Sequence, residues 1–169
     1  MTRHFPRIND ITSDRERPPA FWVKPPAHHA YNALKFRALT EQAYGDLTNL
    51  ELPVRPADAF ARVLELVKER GWRVAAKDDL GRRVQAVAIT SLLRFRDDVI
   101  VEVRPAPEGG GSTVAMRSKS RLGRGDLGAN AQRIREFFAD LAAGTVGAPG
   151  TAGATGGESP APRGKAGAR

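Results

Sequence analysis

Between Trp72 and Ser120 the chain holds four runs of β-like alternation, joined by connections of only a few residues. "WRVAAKD" and "RRVQAVAITS" flank a "DLG" turn, and "DDVIVEVRP" and "STVAMRSKS" flank "APEGGG". A parallel crossover takes about a dozen residues or more, so runs this close together can pair only antiparallel. Before them, "PADAFARVLELVKERG" carries Pro56 at a first-turn position and Asp58 at the positive end of the helix dipole. Phe60, Val63, Leu64 and Val67 follow at helical spacing, and Gly71 is a stop. After the four runs, from about Asp126 to Ala142, Leu127, Ala131, Ile134, Phe138 and Leu141 fall on one helical stripe. The order αββββα implies an α+β fold, a four-stranded antiparallel meander with two helices on one face.

The flanks differ in kind. Residues 1–45 contain Pro6, Pro18, Pro19, Pro25 and Pro26, which favour extended chain, together with Ile8, Ile11, Phe21, Trp22, Tyr31 and Phe36, too many large apolar side chains for a free linker. An extended proline-rich arm packed on the domain is expected, with Phe21 and Trp22 buried. Residues 46–143 form the core domain. Residues 144–169, rich in Gly, Ala and Pro with almost nothing to bury, are expected to be a disordered tail.

Composition excludes several classes of function. There is no cysteine, so disulfides, thiolate metal sites and cysteine nucleophiles are absent. His28 and His29 are adjacent and His4 is the only other histidine, a pattern without metal-ligand spacing, and no metal or cofactor is expected. The 27 Lys and Arg against 19 Asp and Glu are spread along the chain, so the net charge of +8 permits an acidic partner without demanding one. Nucleic acid is disfavoured, because the aromatic residues are not interleaved with the basic ones. Trp72, opening a strand, is read as core. No apolar run reaches the length of a membrane span, and the start lacks the apolar region of a signal peptide, so a soluble cytoplasmic protein is expected. Oligomeric state is left open.

"GRGDLG", residues 123–128, matches the glycine pattern of a dinucleotide-binding loop. That fold needs a parallel strand after the helix and an acidic residue for the ribose, and neither follows, so the Rossmann reading fails. What remains is strand, basic loop and helix start. Ser118 and Ser120 share the inward face with Met116, and Gly123 and Gly128 let the backbone turn sharply. Arg121, with Arg117, Lys119 and Arg124, supplies positive charge. Asp126, Asn130 and Arg133 lie on one stripe of the helix. These are parts of an anion site at a helix start. A scaffold reading stands beside it: Asp126 caps the helix, Asn130 bonds a loop carbonyl and Arg133 pairs with Asp126 or Glu136. The second hairpin sets Asp98 opposite Lys119 as a cross-strand ion pair and Asp97 beside Ser120, facing the helices, where it could orient Arg121.

The same residues carry a resemblance. "RSKSRLGRGDLGANAQRI", with "FRDDVIVEVRP", "PRINDITSD" and "PPAF", resembles the bacterial family known as domain of unknown function 1499, whose pattern falls on Ser118, Ser120, Arg121, Gly123, Asp126, Gly128, Asn130, Arg133 and Ile134. The resemblance covers roughly residues 5–142 and implies an unassigned function with no catalytic residue to carry over. Many members of that family bear a cysteine-containing motif or N-terminal membrane segments, and this chain has neither. The leading expectation is a non-catalytic module binding a small anionic ligand or an acidic protein segment at the loop before the last helix. The alternatives are a carboxylate-dependent enzyme using Asp97 or Asp126 as base, and an assembly protein exposing Val87, Ile89 and Ile100 on the outer sheet face.

Overall fold

The computed structural model describes residues 5–23, 33–89 and 95–146. Among them the elements run β1 (Asp10–Thr12), α1 (Ala33–Tyr44), β2 (Leu50–Leu52), α2 (Pro56–Glu69), β3 (Arg73–Asp78), β4 (Arg83–Ile89), β5 (Arg96–Pro105), β6 (Ser112–Ser120) and α3 (Ala129–Val146). The expected meander is present as β3–β4–β5–β6, every pair antiparallel, with Asp98 opposite Lys119 and Asp97 opposite Ser120 as the alternation required.

The sheet has six strands rather than four. Both additions lie on the free edge of β6: β1 pairs with Arg117–Lys119 and β2 with Ser112–Val114. Three residues are too few to show a period of two, which is why neither strand is visible in the sequence. The arm is not extended throughout either, because α1 occupies its last part. The prolines that argue for extension stop at Pro26, and "ALKFRALTEQAY" is rich in good helix formers.

The core lies between one sheet face and the helices α2 and α3, which pack against each other. β4, β5 and β6 contribute Val84, Ala86, Val99, Val101, Val103, Val114 and Met116, against Phe60, Val63 and Val67 of α2 and Ile134, Phe137 and Leu141 of α3. α2 ends where Gly71, at φ 64°, lets the Gly71 and Trp72 N–H groups bond the carbonyls of Lys68 and Val67. Trp72 is half-buried and stacks on Phe137, with centroids 5.5 Å apart.

α3 starts at Ala129, not Asp126, because Leu127 (φ 53°) and Gly128 (φ 86°) are left-handed and cannot be helical. It runs to Val146, so the first residues assigned to the tail are helical. The remainder of the tail lies outside the described residues, as do the three histidines.

The outer face of the sheet is largely covered, which removes the apolar patch that the assembly alternative required. Val87 and Ile100 are buried, and only Ile89 stays half-exposed. The arm crosses this face: Gln85 accepts the N–H groups of Trp22 and Val23, the Arg117 guanidinium lies 4.7 Å from the Phe21 ring centre, and Arg83 lies 4.9 Å from that of Trp22. Phe21 is buried as expected, whereas Trp22 remains 37% exposed.

Candidate functional site

On the inner face, β6 and α3 meet through a closed polar network beyond the apolar core. The Ser118 hydroxyl donates to Asn130 Oδ1 at 2.6 Å, and the Asn130 amide donates to Ser120 Oγ at 2.9 Å. Arg133 donates through one nitrogen to Ser118 and Asn130, and through the other to Asp97 at 2.6 Å. Asp97, Ser118 and Asn130 are buried. The second Asp97 oxygen, Oδ1, is buried with no hydrogen-bond partner among the described residues. Asp126 caps α3, its two oxygens accepting the N–H groups of Gly128 and Asn130 at 2.9 Å each. Its carbonyl accepts the Ala129 N–H. The helix start therefore already holds a carboxylate where an added anion would sit.

Arg133 pairs with Asp97, not with Asp126 or Glu136, because the β5–β6 register puts Asp97 under that turn of α3. Arg121 is drawn to the opposite face, where it grips Asp98 with two bonds of 2.7 and 2.9 Å, so Asp97 does not orient it. The Asp98 carboxylate in turn keeps the Arg121 guanidinium charged, raising its pKa. Lys119 lies opposite Asp98 but sends its amine to Asp10, which also takes two 2.8 Å bonds from Arg117. Asp10, Asp98 and Arg117 are buried. The outward charges of β6 are thus satisfied across strands and from the arm.

The sequence reading missed Asn9. Its amide donates to the Gly123 carbonyl at 2.7 Å, and its own carbonyl accepts the Ser120 N–H and, at 3.4 Å, the Asn130 amide. It ties the arm, the loop and α3 together, and the only hint of this was the arm sequence "PRINDITSD" accompanying the loop motif.

The loop 121–128 itself faces outward. Arg124 is exposed, Gly125 packs against the backbone of Arg7, and the Arg121 N–H bonds the carbonyl of Arg96. Arg7 and Arg96 are also exposed, and so are Leu122 at 69% and Leu127 at 78%. Beside the loop, a cavity of about 600 Å³ is lined by Phe5, Tyr44, Asp46, Gln132 and Arg135 among others. The Tyr44 hydroxyl is buried without a hydrogen-bond partner among the described residues. Burial, with the Asp126 carboxylate nearby, pushes its pKa up, so it stays a neutral phenol.

Of the expected residues, Ser118, Ser120, Asn130, Arg133, Asp97 and Asp126 come together in one network or at the cap it carries. Gly123 and Gly128 shape the loop, and Arg121 leaves for the outer face. Among the described residues no helix is long and apolar enough to cross a membrane, and no cluster of three His, Cys, Asp or Glu could hold a metal ion.

Among solved structures, the crystal structure of Ara h 8.0201 is similar at 11% identity, over 58% of this chain and 94% of that one, with a TM-score of 0.30, too low to carry any argument. No curated protein matches the sequence. Residues 10–141 match the family model described as "Protein of unknown function (DUF1499)". That match spans well over half of the chain and includes the whole loop, its serines and the helix that follows, so the protein belongs to the DUF1499 family.

Proposed function

We propose that the protein is a non-catalytic module that binds an anionic ligand or acidic segment at the loop before α3. The inward residues are the foundation and the outward arginines the contact. One observation carries this reading: Arg7, Arg96 and Arg124 are exposed around one short loop whose neighbouring carboxylates, Asp97, Asp98 and Asp126, are all committed to internal partners. Unneutralised positive charge on a rigid frame suits recognition of an anion, since little ordering is left to be done on binding.

The same commitment speaks against catalysis. Asp126 has both oxygens on backbone N–H groups, and Asp97 lies buried under α3, so neither is placed to take a proton from a substrate. The test is a thermal-shift series at fixed ionic strength with inorganic phosphate, pyrophosphate and polyglutamate, comparing wild type with Arg124→Ala. A ligand at 100 times its dissociation constant should stabilise wild type by about 2.7 kcal/mol, and Arg124→Ala should lose much of that gain. Equal shifts in both proteins, or no response to any anionic probe, would remove the reading.

A further inference from the structure

Resting on the loop reading above, we infer that the anion this loop meets is a lipid bilayer surface bearing anionic phosphate headgroups. Leu122 and Leu127 would enter the headgroup boundary, and Arg7, Arg96 and Arg124 would pair with phosphates around them.

A soluble anion explains the arginines but not the leucines. Leu122 and Leu127 are among the most exposed large apolar side chains of the protein, and both lie in the eight residues of this loop. Leu127 is held at φ 53°, where a bulky side chain is strained and Gly or Asn would serve the turn better. It gains no burial in return. A costly backbone that displays a leucine to solvent makes sense where the side chain has somewhere apolar to go.

Charge selects the occupant. The loop, the arm stretch beside it and the start of β5 expose arginine and no acidic side chain. At the opposite end of the sheet the one comparably exposed residue, Leu80, sits beside the exposed Asp79, with Glu108 exposed on the neighbouring turn. Among the described residues, the loop end thus combines exposed apolar side chains and cations with no exposed carboxylate, the combination that binds a protein to an anionic interface. The internal network keeps that end stiff, so two leucines suffice as anchors without a helix to order.

The test is sedimentation of the full chain with phosphatidylcholine vesicles, with and without phosphatidylglycerol. Wild type should partition onto the anionic vesicles only, and salt should release it. Arg124→Ala should weaken partitioning about fivefold, the worth of one basic residue near such a surface. Leu122→Ser with Leu127→Asn should weaken it about tenfold or more, from lost burial of two apolar side chains. The same double variant should melt no lower than wild type, because Asn tolerates the left-handed turn. Leu80→Ser should bind as wild type. Vesicle binding indifferent to the leucines, or no vesicle binding alongside Arg124-dependent binding of polyglutamate or phosphate, overturns the lipid inference and leaves the loop reading standing. Failure of all three probes overturns both.

Discussion

Arg133 is a cation placed where little water reaches it, its side chain 11% exposed and that of Asp97 only 3%. Such a pair contributes little net stability as a pair, yet removing one member strands the other. Asp97→Ala should therefore cost about 3–5 kcal/mol in urea unfolding, whereas Asp97→Val combined with Arg133→Met should cost clearly less than the single change. Additive losses would mean that Arg133 finds another partner. Gly128 makes the second residue-scale case. Any side chain there needs φ 86°, and its Cβ would come within 2.7 Å of the Phe5 ring and 3.4 Å of the Tyr44 hydroxyl. Gly128→Ala should lower stability by about 1–3 kcal/mol, measurable as a fall in melting temperature. A glycine needed in this loop was legible from the sequence, since a sharp turn precedes a helix. That Phe5 is what crowds it was not, because contacts between residues so far apart leave no local pattern.

The arm acts as an element although little of it is regular. Phe21 is buried against the Arg117 guanidinium, so Phe21→Ala should cost about 3–5 kcal/mol, and Trp22→Ala less, because its ring is partly in water already. Comparable losses would show that the outer face depends on the indole as much as on Phe21. Asp14 clamps the arm through the Arg17 N–H, the Asn49 amide and Arg104. Burial pushes its pKa up, but these hydrogen bonds and the Arg104 charge outweigh it and hold the carboxyl below its usual value. A lowered folded-state pKa means that the unfolded chain binds more protons, so the clamp contributes fully above the ordinary aspartate value and is lost as pH falls through the folded one. The stability gap between wild type and Asp14→Asn should accordingly be constant near neutrality and shrink below about pH 4. A gap that persists in acid would place the contribution elsewhere. The meander, its register and α2 were readable because period and turn chemistry are local. β1, β2 and α1 were not: two are too short to display a repeating alternation, and the third follows a proline-rich stretch that points the other way.

At the scale of the molecule, one layer of helices and one crossing arm enclose the sheet from both sides, and two tryptophans sit on the two sides. Trp22 lies in the arm and Trp72 against α3. If arm and domain unfold as one cooperative body, the single-tryptophan variants Trp22→Phe and Trp72→Phe should give denaturant transitions of the same cooperativity, each coincident with its own loss of circular dichroism. An earlier, shallower transition seen by Trp22 alone would make the arm a separable layer. The polar network was only half legible at this scale. The sequence brought Ser118, Ser120, Asn130 and Arg133 to one place, but the choice between Asp97 and Asp98 as partners for Arg133 and Arg121 depends on which sheet face each arginine leaves from. The two short strands on β6 carry one more consequence. They fill the upper and lower halves of an edge whose backbone groups would otherwise stand open, and both come from sequence that precedes α2. A chain shortened to begin at Pro56 would keep the meander and both packed helices, but it would present a bare ladder beside the uncovered Val87 and Ile100. Such a fragment should recruit the edge of another copy and precipitate, so the 55 residues before α2 are what keep this sheet from polymerising.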